Sequence, residues 1–515
     1  METESAIENE ATSPGTPCIN EQCSDVQAAY GESMTDNQQT VENKADCSKN
    51  ASGGKIWTVG TLSYTTKGLL ILFSWLMIGD FVWSIRDRAT GPVAQVMLKK
   101  FGASDFIVGL LIGSLPGAIG LFLSPAISCW SDRCRTRWGR RIPFLIVPAP
   151  IAAVSMIGLA FSPDIGMWLH RLVGASPDTA NTFVIATFGV FWTIFDFTAI
   201  TANAVFGGLV NDVVPHSVIG RFYGMVRAVS LLAGIFFFYV LLGKADEYYT
   251  AIYACTGAFY GIGFTAMCFK VKEGKYPPPP SLSGEKGVHP LRAVKSYFYE
   301  CFSSSYYIWY YAMTALSMMS LTAAVLFGVY AAQSFGLSLQ GYGTCVAIAF
   351  AGSFILAYPL GILVDRLHPF RMSLLTLGLH GITTLCEFLF IRDAWTFSII
   401  FVIQQILAGS YLTAVSGLPP MLLPKSRFSQ MSSAGGIVMS ICGILLSMLL
   451  GKFLDIMNHQ YIYTFGVACI FNVLAFIAAI FLYRGFIGFG GFKSYVPPEP
   501  ATIAAAETSS SKASE

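Results

Sequence analysis

Long apolar runs alternate with short polar breaks along most of the chain. The apolar runs cover about 68–98, 105–129, 142–161, 182–210, 221–243 and 249–270. After a longer polar interruption they resume at 305–333, 341–364, 371–391, 395–420, 430–452 and 460–483. Each is close to or above the roughly 20 residues that a helix needs to cross a hydrocarbon core. The pattern predicts an all-α membrane protein of about twelve transmembrane helices in two sets of six. The flanks differ in kind. Residues 1–54 are polar, acidic and poor in aromatics, with no apolar segment near Met1, and read as a disordered tail. Residues 55–270 make the first six-helix half. Residues 271–304, with Pro277 to Pro280 and several lysines, read as a linker. Residues 305–484 make the second half, and 485–515 a second disordered tail.

Charge adds an orientation. Arg133, Arg135, Arg137, Arg140 and Arg141 crowd into the loop Ser128 to Phe144 between the second and third runs. A loop so cationic resists translocation and stays on the cytoplasmic side. The same side collects Arg221, the 271–304 linker, Arg366 with Arg371, Lys425 with Arg427, and Arg484. The other side has Lys99, Lys100, Arg171, Lys244, Arg392 and Lys452. Both termini and the linker are therefore expected in the cytoplasm. The loops also echo one another. Ser128-x-x-x-Asp132-Arg133 follows run two and Gly361-x-x-x-Asp365-Arg366 follows run eight. Val213-Val214-Pro215 follows run four and Leu422-Leu423-Pro424 follows run ten. Two loop patterns in register predict two related halves.

Composition narrows the chemistry. Of 515 residues, 54% are hydrophobic and 12% charged, about half the charged share of a soluble protein. The net charge of +2 gives no reason to expect nucleic acid. The 12 cysteines form neither a CxxC pair nor a metal-ligand cluster. No paired nucleophile and base, phosphate loop or metal motif appears, which argues against an enzyme and against an ATP-driven pump.

Ionisable groups inside a bilayer are costly, so they are the first functional candidates. Asp80, Ser84, Asp87, Arg88 and Gly91 share one stripe of run one at helical pitch. The helix either continues past Pro92, turning that stripe to a water-filled cavity, or ends near Ser84 and leaves Arg86-Asp87-Arg88 as an interfacial loop. Run four places Thr193, Asp196, Ile200, Asn203 and Gly207 on one stripe. There Asp196 either carries a proton or substrate hydroxyls, or bonds helix to helix. Arg227 either counters these acids or snorkels to the interface, and Glu387 reads as interfacial. The second half offers amides and aromatics instead: Gln404, Gln405, Tyr411, Thr413 and Ser416 in run ten, Tyr330 and Gln333 ending run seven, and Asn472 in run twelve. Such groups suit sugar hydroxyls and C–H faces. Tyr306, Tyr307, Trp309, Tyr310 and Tyr311 read as an interfacial belt, and Gly113, Gly117 and Gly120 as a close-packing face.

A small residue followed by Asp-Arg and clustered basic residues resembles the signature loop of the major facilitator superfamily. Trp130-Ser-Asp-Arg-Cys-Arg-Thr-Arg-Trp-Gly-Arg-Arg-Ile-Pro-Phe144 is similar to that loop in the sucrose/proton symporters and their animal relatives, within the glycoside–pentoside–hexuronide group. The spacing of Trp83, Pro92 and Lys99-Lys100-Phe101-Gly102, and of Asp196 with Asp212, extends the resemblance over most of 68–270; it thins beyond. Those symporters have an arginine where this chain has Gly207 and a glutamine at Asn203, so the resemblance carries a sugar or glycoside rather than sucrose itself. It implies a major facilitator fold and a secondary active transporter, with a proton as coupling ion and sodium as the alternative. No cofactor or resident metal is implied. The transporter would work as one chain in the plasma or inner membrane by alternating access. It also implies a conformational latch at Asp132, Arg133, Gly139, Arg140 and Arg141, echoed at Asp365 and Arg366. The competing readings are a sodium-coupled symporter of another small solute and a non-transporting sensor on the same fold.

Overall fold

A computed structural model describes residues 47–49, 55–274, 276, 297–424 and 427–499. Twelve long helices carry the fold. In the first half they are α1 (Thr66–Lys100), α2 (Leu115–Arg133), α3 (Pro148–Ala160), α4 (Ala180–Val213), α5 (His216–Phe236) and α6 (Ala245–Lys270). In the second they are α7 (Ser305–Leu326), α8 (Leu339–Leu367), α9 (Pro369–Phe390), α10 (Ala394–Val415), α11 (Phe428–Ile456) and α12 (Ile462–Gly488). Among the described residues, eleven helical runs are long and apolar enough to cross a membrane. One of them, His216–Lys270, is 55 residues long and holds both α5 and α6, joined by a π turn at Phe237–Leu241 and a 3-10 turn at Leu242–Lys244.

α1 runs unbroken through Pro92, so the alternative of an interfacial loop at Arg86-Asp87-Arg88 falls. The Thr65 hydroxyl caps its start by accepting from the Gly68 N–H at 3.2 Å, and Gly102, at φ +71°, turns the chain after its end.

The two halves use one packing scheme twice. α1 packs on α5 and α6, α3 on α4 and α6, and α2 on α4. Likewise α7 packs on α11 and α12, α9 on α10 and α12, and α8 on α10. The halves meet through the matching pairs α2 with α11 and α5 with α8. Small residues set the first of these contacts. A Cβ on Gly113 would strike the Ser447 side chain, and one on Gly117 would meet Ile444, while the Ser114 hydroxyl donates to the Ile444 carbonyl at 2.6 Å. Gly120 lies beside Ile200 of α4.

Three regions depart from the reading of the sequence. Cys47–Lys49, assigned to the first tail, is strand β1, paired antiparallel with β2 (Lys55–Val59), which pairs with β3 (Leu62–Thr65). Trp57, Leu62 and Tyr64 of this sheet pack on the first half. Residues 485–499 extend α12 and fold back: the Tyr307 hydroxyl donates to the Pro498 carbonyl at 2.6 Å, and Tyr495 donates to the Leu422 carbonyl at 2.9 Å. The aromatic cluster of α7 is core rather than belt, with Tyr306, Tyr307, Tyr310 and Tyr311 all buried. The hydroxyls of Tyr306, Tyr307 and Tyr311 find phenol or carbonyl partners inside the protein, so no water interface is needed to satisfy them. The rest of both tails and most of the linker lie outside the described residues.

Candidate functional site: a cavity in the first half

The stripe on α1 faces a cavity of about 330 Å³ against α5, lined by Asp80, Trp83, Ser84, Asp87, Tyr223, Val226, Arg227 and Ser230. Its chemistry is two carboxylates, one guanidinium, two hydroxyls from serine, one phenol and the flat face of an indole. Trp83 is held by stacking on Phe206, with ring centroids 5.5 Å apart. Arg227 therefore faces this cavity across from the acids. Arg88 is not among the lining residues; its guanidinium lies 4.9 Å from the Phe350 ring of α8, so it reaches the other half. Asn203 and Gly207 are exposed on α4, and nothing stands within 4 Å of where a Gly207 Cβ would be.

Asp196 lies elsewhere. It is buried between α4, α1 and α6, where Arg86 acts on it electrostatically and Tyr253 is its neighbour. Arg86, 1% exposed, lies with its guanidinium 4.3 Å from the Trp83 ring and 4.8 Å from that of Tyr260. Its Nε and Nη1, and Asp196 Oδ2, have no hydrogen-bond partner. Asp80 thus lines the cavity and Asp196 does not. Adjacent residues on a helix point about 100° apart, so Arg86 leaves the stripe of Asp87 and turns inward to Asp196. Trp83 belongs to both places: its ring lines the cavity and covers Arg86.

The amides of the second half are likewise turned inward. Gln404 is fully buried and its amide meets His380 Nε2 at 3.0 Å, while the Asn472 amide meets His380 Nδ1 at 2.9 Å. A neutral imidazole has one donor and one acceptor, so one amide presents its oxygen and the other its NH₂. Gln405 is half-buried, with its amide nitrogen enclosed and unpartnered. Neither glutamine lines the cavity, and Gln404 turns to His380 of α9 instead. Glu387, expected at the interface, is fully buried with both carboxylate oxygens unpartnered. His380, Thr384 and Glu387 repeat the spacing of Asp80, Ser84 and Asp87, a signal legible in the sequence and overlooked.

The arginine loop is clamped within its own half. Asp212 at the end of α4 accepts from Arg140 Nη2 at 2.7 Å and from Arg141 Nε at 2.5 Å, and Asp132 lies 3.4 Å from Arg141. Partial burial opposes the charge on Arg140, but Asp212 and Asp132 hold its guanidinium above its ordinary value. Glu273, which the sequence reading left in the linker, accepts from the N–H groups of Arg140, Arg141 and Ile142 at 2.7–2.9 Å. Gly139, at φ +117°, has no room for a Cβ against the Glu273 carboxylate. Arg133 is exposed, as is Arg366, and the side chain of Asp365 lies outside the described residues.

Hydrogen bonds across the halves gather at the opposite end. Tyr330 donates to the Gln95 carbonyl at 2.6 Å, Lys99 to Gln333 at 3.1 Å and Gln340 to the Tyr239 carbonyl at 2.8 Å. There too Asp105, Asp455 and His459 converge, with carboxylate and imidazole atoms within 4.8 Å of one another. The sequence held no cue to this, since Asp105 is some 350 positions from the other two. The carboxylates are already engaged. Asp455 accepts from the Asp105 and Phe106 N–H groups, and Asp105 accepts from Tyr461 and His459.

Residues 310–507 match the family model of the Major Facilitator Superfamily. The matched stretch is the half in which the loop resemblance thins. The chain is 32% identical over 104 residues to "Sucrose transport protein SUC3" of Arabidopsis thaliana, covering 20% of this chain and 16% of the relative. It is 28% identical over 161 residues to "Sucrose transport protein SUT5" of Oryza sativa subsp. indica, covering 30% and 27%. It is also 27% identical over 150 residues to "Membrane-associated transporter protein" of Mus musculus, covering 29% and 27%. These alignments span 16–27% of the length of the relatives. Among solved structures, the fold is similar to a nucleoside transporter, NupG (D323A mutant), with TM-score 0.59, 13% identity, 81% of this chain and 100% of that one covered. It is also similar to a D-xylose-proton symporter, with TM-score 0.58, 12% identity, and 84% and 98% covered. The family and these relatives are transporters, not enzymes.

Proposed function

We propose that this chain is a major facilitator and a proton-coupled symporter of a sugar or glycoside, working by alternating access. The observation that carries the reading is the cavity between α1 and α5, where Asp80, Asp87, Ser84 and Arg227 surround the Trp83 ring. Carboxylates and a guanidinium hydrogen-bond paired hydroxyls strongly, and an indole accepts the C–H face of a pyranose. The printed names of the relatives, sucrose transport proteins, agree with this class of solute. In this reading the arginine-loop end is cytoplasmic, both termini are cytoplasmic, and a single chain acts in the plasma or inner membrane. With the halves bonded at the other end and the clamps of the arginine loop confined to one half, this state corresponds to an inward-open one.

Substrate and proton would then occupy neighbouring but distinct places. The solute binds in the cavity at Asp80 and Asp87, and the proton resides at Asp196, behind the wall formed by Trp83 and Arg86. Movement of the Trp83 ring on solute binding would change the position of Arg86 and so the electrostatic hold on Asp196. Asp132, Asp212, Arg140 and Arg141 keep the α2–α3 loop attached to α4, so that the first half moves as one body.

The test is uptake of labelled hexosides and disaccharides into proteoliposomes, with and without an inward proton gradient. The Asp196→Asn variant should exchange solute without accumulating it, while Asp80→Asn should lose both. Accumulation by Asp196→Asn at the normal level would refute the division of roles. Failure of folded wild-type protein to transport any glycoside would remove the sugar.

A further inference from the structure

The end opposite the arginine loop carries a cluster that the cavity does not use. Asp455, near the end of α11, accepts from the backbone N–H groups of Asp105 and Phe106 at 2.8 and 3.0 Å. This carboxylate from the second half thus caps the first turn of the segment leading into α2 in the first half, where exposed N–H groups and the helix dipole favour an anion. The Asp105 carboxylate, itself buried, turns back across the same boundary. It accepts from the Tyr461 hydroxyl at 2.9 Å and meets His459 Nδ1 at 2.7 Å; the same nitrogen is 3.8 Å from Asp455 Oδ1. His459 therefore sits between two carboxylates, one from each half. Its imidazole remains 56% exposed at that end of the molecule.

The placement is built, not incidental. α11 ends with Asn458 and His459 both at positive φ, +53° and +59°, and the His459 N–H closes back on the Leu454 carbonyl at 2.9 Å. Non-glycine residues occupy that region only when their surroundings hold them there. Among the described residues, the Tyr461 ring stands next to the imidazole, with centroids 6.5 Å apart. Lys99 acts on Asp105 and lies over the Tyr461 ring, and Tyr330 packs against Tyr461.

We propose that Asp105, Asp455 and His459 form a proton-operated gate on the outer face: a proton taken up by His459 from outside closes the halves over the cavity. Imidazole is the side chain that changes charge between pH 5 and 8. As a cation between two carboxylates it strengthens a bond across the halves; as a neutral ring it leaves two like charges close together. Outer acid then favours the inward-open state. The idea rests on the alternating-access reading and on the cytoplasmic placement of the arginine loop, but not on the identity of the solute.

The experiment measures the distance between the outer ends of the halves in the full chain, in nanodiscs and without solute. Asp178 and Trp395 are each replaced by a spin-labelled unnatural residue and followed by pulsed electron resonance from pH 5 to 8. The ratio of short to long distances should rise about tenfold on acidification, inside the usual range of coupling between sites. His459→Gln should remove that dependence, and Asp105→Asn should lower the short-distance population at every pH. A wild-type distribution that ignores pH, or a His459→Gln variant that still follows it, would overturn the gate. Because no solute is present, that result is independent of any failure to transport sugars.

Discussion

The two halves share a packing scheme and differ in what they enclose. In the first, α1, α4 and α6 surround Arg86 and Asp196, and the α1–α5 cavity holds two further acids and Arg227. In the second, α9, α10 and α12 surround His380, Gln404 and Asn472, joined by hydrogen bonds. The pairing of helices follows from their apolar faces, which tolerate many side chains, so duplication of the packing leaves the polar content free to diverge. A charge without a direct partner is held at high cost and responds to protons and ligands. An amide network satisfied by an imidazole is mainly a support. The first half thus sets a buried arginine and carboxylate beside an open cavity, and the second an imidazole–amide network on the same helix as the unpartnered Glu387.

The largest effect should come from breaking the charges of the first half. Asp196→Asn leaves Arg86 buried without its counter-charge and should lower unfolding stability by about 3 kcal/mol. The double variant Arg86→Met/Asp196→Leu should recover most of that loss in a thermal-unfolding assay while leaving accumulation abolished. Recovery of accumulation would show that the pair serves structure alone. Next is the clamp on the arginine loop. Asp212→Asn weakens bonds to two arginines at once and should cost about 2 kcal/mol, more than Glu300→Gln beside Arg427 in the second half. Equal losses would mean that the two loops carry equal loads.

Gln404→Leu tests the second half. It strands one nitrogen of His380 and should cost about 1–2 kcal/mol, yet leave the dependence of uptake on the proton gradient intact. Loss of coupling in that variant would move part of the proton chemistry across the molecule. The smallest effect expected is for Tyr307→Phe, which removes one bond to the Pro498 carbonyl and should cost about 1 kcal/mol, read as a modest shift in melting with unchanged transport.

Much of the architecture was legible in the chain because a bilayer enforces it. Backbone groups in hydrocarbon must bond internally, so an apolar run of sufficient length becomes a helix whatever its neighbours do. The helices, the echo between halves and the polar stripe of α1 with Asp80, Ser84 and Asp87 follow from local pattern; that Arg227 faces that stripe does not. Tertiary structure decided which polar face looks into water and which into another helix. Asp196 and Gln404 read as cavity residues by spacing, yet each is turned toward a neighbour that no local pattern names: Arg86 in one half, His380 in the other. The same holds for Glu273 on the arginine loop and for His459 between Asp105 and Asp455. Those contacts join segments far apart in sequence. Their existence depends on how whole helices rotate and register against one another, which is fixed by packing over their full length.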